Sequence, residues 1–424
     1  ILLGEPQAAF YAWVERMGHS WRDQVRPGEV VLVCDVGGGT TDFSLIAVSE
    51  VDGELDLERI CVGDHILLGG DNIDLALAFA LRQQLETEGR TLDEWQFSAL
   101  VQLAREAKEQ LFDNPERDKE PIAIPSQGSG LFSGTVSTAL SRDLLQAIAV
   151  DGFFALTGSN ELPEEGTSAG LQEFGLPYAA DPVVSKHLAA FLRRSARAIE
   201  GKPETAASFA DAIRDGILIP NAILFNGGAF RAEPLRKRVL DLLGSWSGGD
   251  PVRELEGADL DQAVARGASA YGFTKVSGKG MRIRAGASRS YYIGVESAMM
   301  AIPGYKPPQK ALCVVPQGME EGSEAVLDEK EFALLTGVNA NFRFFSSSDR
   351  STDTVGTLVS DAEKQLEETA RLELPMAEIE GMPPRTAVPV KLHSRLTELG
   401  TLELWMQHTR SEQRWKLDFE VRTE

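Results

Sequence analysis

The sequence predicts an α/β region followed by an antiparallel β domain, and three observations carry that division. From residue 1 to about 275, short apolar runs alternate with long helical patterns, as in α/β proteins. From about residue 285 to the end, short segments of period two dominate, which indicates half-buried antiparallel strands, read as a sandwich. Between them, residues 276–289 are rich in glycine, serine and basic side chains, which suits a linker.

The elements follow in order. Val30 to Val33 is a continuous apolar run leading into Gly37, Gly38 and Gly39, after which Phe43, Leu45 and Ala47 alternate with Ser44 and Ile46. That pattern predicts strand, glycine turn, strand. Ile73, Leu77, Leu81 and Leu85 share one helical face, with Asp71 or Asn72 as the cap. Further helices are expected around Leu100 to Leu111, Val183 to Ile199, Glu233 to Leu243 and Leu260 to Tyr271, and a short buried strand at Ala222 to Phe225. In the C-terminal region, Val388, Val390 and Leu392, then Leu402, Leu404 and Met406, then Trp415, Leu417 and Phe419 alternate with polar residues. The charged stretch Asp361 to Leu374 reads as an exposed helix.

Composition narrows the function. The chain has 424 residues and a formal charge of −22, an acid excess that argues against binding nucleic acid or an anionic membrane surface. No apolar run approaches the roughly 20 residues that span a bilayer. Cys34, Cys61 and Cys313 are far apart and lack metal-ligand spacing, so a reducing cytoplasm is the expected location. The five histidines show no ligand spacing either. The chain opens on Ile1 and is expected to be part of something longer.

The strongest chemical signal is Asp35-Val-Gly-Gly-Gly-Thr-Thr-Asp42. Consecutive glycines let a turn approach a phosphate with no Cβ in the way. Thr40 and Thr41 add hydroxyls, and Asp35 and Asp42 supply carboxylates able to hold Mg²⁺ through water. Leu68-Gly69-Gly70-Asp71 places two glycines at a helix start, a ready anion site. Asn226-Gly227-Gly228-Ala229-Phe230-Arg231 sets two glycines between a strand and a helix, where backbone can approach a flat ligand.

In that order, and with Gly4-Glu5-Pro6-Gln7-Ala8-Ala9 before them and Asp261 to Ala268 after, these motifs resemble the heat-shock protein 70 (DnaK-like) chaperone family. The resemblance covers about residues 1–275 and implies part of an actin-like (ribonuclease H-like) nucleotide-binding domain, mostly its second lobe. It implies that Gly37, Gly38, Gly39 and Thr40, with Thr41 beside them, contact the phosphates of ATP or ADP. Asp35, Asp42 and Glu5 then hold the hydrated Mg²⁺ or orient the attacking water, with Thr40 alongside. Gly69, Gly70 and Lys108 line the ribose side, and Gly227, Gly228 and Arg231 cover the adenosine. Residues 290–424 resemble, more faintly, the family's β-sandwich substrate-binding domain: Tyr292 to Glu296 matches its first strand and Gly400 to Leu404 a later one. The partners implied are unfolded or extended peptide segments, a co-chaperone and a nucleotide-exchange partner.

The chain also departs from the family. Glu109 stands where an arginine is usual, Phe112 where a small hydroxyl residue is usual, and Ala229 replaces a serine. Lys279, Arg282 and Arg284 sit where the family has an apolar linker. No first phosphate loop, catalytic lysine or helical lid is matched, so the expectation is that ATP hydrolysis belongs to a longer protein and not to this stretch alone. Two other classes share the phosphate loop. One is a non-enzymatic nucleotide-binding or adaptor protein. The other is a sugar kinase-like enzyme, which leaves the terminal β domain unexplained.

Overall fold

The computed structural model describes residues 3–420 except 52, 126–134, 165–177, 201–208, 278–280, 282, 288, 297–307, 348–349, 351, 377–382, 384 and 398–400. Helix α1 (Glu5–Met17) opens with an acidic residue and has a proline in its first turn, both favoured at a helix start. Strands β1 (Val30–Val36), β2 (Thr41–Val51) and β3 (Glu54–Val62) form an antiparallel meander. Helices α2 (Gly70–Thr87) and α3 (Glu94–Asp113) follow and pack against each other. Asp93 caps α3, its carboxylate accepting from the Gln96 amide while the Gln96 side chain accepts from the Asp93 amide.

A small hairpin, β4 (Lys119–Ile124) and β5 (Val136–Ser141), and a one-turn helix α4 (Arg142–Leu145) lead to α5 (Val184–Glu200). A second small hairpin, β6 (Ile213–Arg214) and β7 (Ile217–Leu218), precedes β8 (Ala222–Asn226), α6 (Glu233–Trp246), β9 (Arg253–Glu254) and α7 (Ala263–Ser277). Strand β8 lies parallel to β1, and β9 parallel to β8. Together with β10 (Ile283–Ala285), parallel to β3, they make a six-stranded mixed sheet in the order β10-β3-β2-β1-β8-β9. Both faces are covered. Leu32, Cys34 and Val36 join a core with α2, α3, α5 and α6, while Val31 and Val33 join a second core with α1 and α7. That is why Val30–Val36 is apolar without alternation. The same double cover buries Ser44 and Ile46, which the alternation had placed on an opposite face.

The stretch expected to be a linker is therefore not wholly one, since residues 283–285 complete the sheet, anchored where the Ile283 amide donates to the Tyr11 hydroxyl at 2.8 Å. Lys279 and Arg282 lie outside the described residues.

The rest of the chain forms two antiparallel sheets. One has the order β15-β12-β11-β14-β16, built from β11 (Ser290–Val295), β12 (Lys310–Val315), β14 (Asn339–Ser347), β15 (Leu358–Val359) and β16 (Glu367–Pro375). The other has the order β13-β17-β18-β19, built from β13 (Glu324–Leu335), β17 (Ala387–Leu396), β18 (Thr401–His408) and β19 (Arg414–Glu420). Ile293, Leu312 and Phe344 from the first share one core with Val390, Leu404 and Leu417 from the second. Gly400 is outside the described residues.

One element is corrected outright. Asp361 to Leu374 is not an exposed helix: only α8 (Ala362–Gln365) is helical, and Glu367–Pro375 is the edge strand β16. Ala370, Leu372 and Leu374 turn toward the core while Arg371 and Glu373 face water. A strand charged on its outer face and fringed with acids carries the same residues as a solvated helix, and only period two tells them apart. Charged outward residues are also how an edge strand avoids pairing with a neighbour.

Candidate functional site: a glycine turn among three carboxylates

The β1–β2 connection is four residues long, from Gly37 to Thr40. The Gly37 amide donates to the Thr40 carbonyl at 2.9 Å, and Asp35 faces Asp42 across the ladder, as Val36 faces Thr41. The turn is fastened from behind. The Thr41 hydroxyl donates to the Leu68 carbonyl at 2.7 Å, and the Thr41 and Ile66 backbones exchange bonds at 2.9 and 3.1 Å. Thr41 is thus fully buried and structural in position, while Gly38 and Gly39 are exposed and Thr40 half-buried. A side chain on Gly39 would meet nothing within 4 Å, so the turn's outer edge is open.

The start of α2 closes on the turn. The amides of Gly70 and Asp71 donate to the carbonyls of Gly37 and Gly38 at 2.9 and 2.7 Å. A Cβ on Gly69 would lie 2.6 Å from the Gly38 carbonyl oxygen, so glycine there is a condition of contact. The cap is Gly69, not Asp71 or Asn72; the Asn72 side chain instead accepts from the Gly69 amide at 2.9 Å. Because those helix-start amides are taken by the turn's carbonyls, they are not the open anion site that the Gly-Gly motif predicts. Gly69 and Gly70 shape the turn from below.

Gly227 closes the third side. It follows β8 at a φ of +87°, and a Cβ there would lie 2.3 Å from the Val36 carbonyl oxygen and 2.7 Å from an Asp35 carboxylate oxygen. Only glycine fits both the left-handed backbone and the gap. Its neighbour Asn226 donates from its side-chain amide to Asp35 at 2.7 Å.

Asp35 is buried, and its pKa rises to about 6. Burial is the main cause. The Asn226 amide pulls it down, and the Glu5 and Asp42 carboxylates push it up again. Glu5 reaches this corner from the first residue of α1. Among the described residues Asp42 has one partner, the exposed His65, whose Nδ1 is 2.9 Å away. Among the described residues no arginine or lysine pairs with Glu5, Asp35 or Asp42, and no set of three His, Cys, Asp or Glu side chains could ligate a metal directly.

The expected outer residues are tied down by partners the sequence did not reveal. Lys108 on α3 sits 2.7 Å from the buried carboxylate of Asp74. Arg105, one turn earlier, bridges Asp74 at 2.8 Å and Asp71, whose carboxylate faces Gly38. Arg231 is exposed and pairs with Asp261, which raises its pKa, with Glu109 and Asp113 nearby. Gly228 is open, with nothing within 4 Å of a Cβ position. His65, Asp74 and Arg105 are thus the residues missed, while Asn226 and Asp71 were named only as members of their motifs; the spacing of Arg105 and Lys108 on one helix face was the available signal for Arg105. A cavity of about 770 Å³ between α1 and α7, lined by Tyr11, Val14, Phe273 and Met281, contains none of the expected site residues.

Sheet, glycine turn and converging carboxylates define a mixed α/β protein with its polar corner at one end of the central strands. Comparison with known proteins finds similarity over part of the chain. Residues 21–156 match the family model described as Hsp70 protein. The chain is 34% identical over 110 residues to a chaperone protein HscA homolog from Acinetobacter baylyi, an alignment covering 26% of this chain and 16% of that relative. Part of the chain, residues 21–156, is thus similar to the Hsp70 family. The Hsp70 family has an actin-like nucleotide-binding fold, and the matched residues include strands β1 to β3 and helices α2 and α3. Among the described residues no helix is long and apolar enough to cross a membrane.

Proposed function

We propose that this chain is part of a DnaK-like molecular chaperone in which Mg-nucleotide bound at the Gly37–Thr40 turn is coupled to peptide binding by the C-terminal β domain. The observation that carries it is the trio Glu5, Asp35 and Asp42, with which no described lysine or arginine pairs, beside an open glycine turn. Three carboxylates with no lysine or arginine among them suit a hydrated divalent cation, which supplies charge compensation to polyphosphate. Asp35 and Asp42 would hold that cation through water, Glu5 and Thr40 would complete the polar wall, and Gly38 and Gly39 would face the phosphates. Gly69 and Gly70 support the turn, Gly227 and Gly228 leave room for a flat ligand, and Lys108 and Arg231 flank it. In this reading residues 1–275 form the nucleotide part, residues 276–289 the junction and residues 290–424 a peptide-binding sandwich. The partners are extended peptide segments, a co-chaperone and an exchange partner.

Titration calorimetry with ADP, in the presence and absence of Mg²⁺, tests it. Magnesium-dependent affinity that Asp35→Asn and Asp42→Asn each weaken by about tenfold or more supports the reading. Affinity absent in the parent, or indifferent to both changes, overturns it.

A second reading has its own support. Lys108 is locked on Asp74 and Arg231 on Asp261, while Glu109 adds negative charge at the outer edge. Cations already satisfied by protein carboxylates have less to offer a nucleotide, which favours an adaptor that binds nucleotide weakly and without turnover. A rise from weak to full ADP affinity on reversing Glu109 alone, by Glu109→Arg, would decide for this second reading.

A further inference from the structure

A buried charge joins the two parts of the chain. Arg59 on β3 has a side chain only 4% exposed, and its guanidinium donates to Gln7 Oε1 at 3.1 Å and to the carboxylate of Glu321, itself 9% exposed. Gln7 lies on α1 two residues after Glu5, inside the same turn of helix that faces Asp35. Glu321 lies in the turn between β12 and β13. The backbone converges there too. Ala285 pairs with Arg59, Gly286 bridges Glu320, and the Ala287 amide donates to the Met319 carbonyl at 2.9 Å. A Cβ on Gly286 would lie 2.9 Å from the Gly318 carbonyl oxygen, so the two segments touch backbone to backbone.

We propose that Arg59 is a positioning residue that transmits the placement of the first turn of α1 to the 317–323 turn of the β domain. A guanidinium with planar, fixed donors cannot follow one partner without moving relative to the other. Glu5 and Gln7 are on one rigid helical turn, so a cation or nucleotide that repositions Glu5 repositions Gln7. Arg59 then carries the shift to Glu321. The burial of both charges makes the link stiff, because separating them leaves an unpaired ion out of water. The inference rests on the nucleotide reading above and adds to it the residues that read the site's state.

Hydrogen exchange on the full 424-residue chain, with and without saturating Mg-ADP, tests it. The variants are Arg59→Met, and the double variant Arg59→Met/Glu321→Met, which replaces the pair by apolar groups of similar length and keeps the experiment open if the single variant fails to fold. In the parent, Mg-ADP should slow exchange across amides 317–323 by about tenfold, a coupling of ordinary size. In the double variant, the ADP dissociation constant should stay within about threefold of the parent while the nucleotide effect on those amides disappears. A nucleotide effect that persists in the double variant overturns the inference and makes the pair merely structural. A parent that binds no Mg-ADP overturns the functional reading, and this inference with it, so the two failures are told apart by the binding measurement.

Discussion

Asp35 in the first part and Asp353 in the second are both carboxylates beneath the surface, yet their surroundings push them in opposite directions. Burial raises Asp35 to about 6, with the Asn226 amide opposing the rise and two neighbouring carboxylates adding to it. Burial acts on Asp353 too, but Arg350 donates to it at 2.7 and 3.1 Å and the Tyr292 hydroxyl at 2.7 Å, and its pKa ends below the usual value. The β domain finishes its own electrostatics, whereas the glycine corner leaves a deficit for something else to fill. Backbone treatment differs as well. The corner is fastened by close approaches at Gly69 and Gly227 that admit only glycine, and the sheets by alternating side chains. Uncompensated charge and intolerant backbone in one place is the pattern of a site, since both cost stability and neither helps folding.

The contrast can be broken most severely at Gly227. Alanine there combines a left-handed backbone with a Cβ 2.3 Å from a carbonyl oxygen. Urea unfolding should show a loss of about 3 kcal/mol or more. Gly39→Ala, in open space, should cost about 0.5 kcal/mol or less. Equal costs would mean that the turn is not closed by β8. Next in size is Arg350→Met, which strands Asp353 among buried groups. Arg350 is itself about a third exposed, so the expected loss is about 2–3 kcal/mol, below the range for a fully buried pair.

Asp35→Asn should act in the opposite direction. The new side-chain amide oxygen can still accept from Asn226 while the repulsion from Glu5 and Asp42 vanishes. The chain should gain about 1–2 kcal/mol at pH 8 as it loses Mg-dependent ADP binding. A loss of stability would show that Asp35 holds the fold rather than the ligand.

These opposite signs also mark what the sequence could reveal. The glycine turn was legible because three glycines between two aspartates constrain backbone and charge within eight residues. The strands β17, β18 and β19 were legible because period two is local. The partners were not. His65 on Asp42, Asp74 on Lys108 and Asp261 on Arg231 each come from another element, and no spacing rule links them. The helix start at Gly70 looked like an open anion site because sequence does not show that the glycine turn itself occupies its amides. Strand β10 was hidden for a similar reason: three residues pair with β3 from more than 200 positions away, in a stretch whose composition says linker. Edge strand β16 was misread because its charges are the same that a solvated helix carries.

The smallest expected effect lies on that edge strand. Glu368 is pulled down to about 2, first by its hydrogen bonds with Arg343, at one oxygen 3.0 Å away, and then by Arg371. Its folded pKa is below its ordinary value of 4.5, so its stabilisation is present above about pH 4.5 and is lost as pH falls toward 2. The side chain is 30% exposed, so screening by water keeps the contribution to about 1 kcal/mol. Other carboxylates titrate in the same window, so the readout is the difference between parent and Glu368→Gln in urea unfolding at pH 6, 4 and 2.5. That difference should shrink toward zero as pH falls, and more weakly at high salt. A constant difference would mean that Arg343 is held by Glu363 alone, and that the charges on this edge protect it from pairing without fastening it to the sheet.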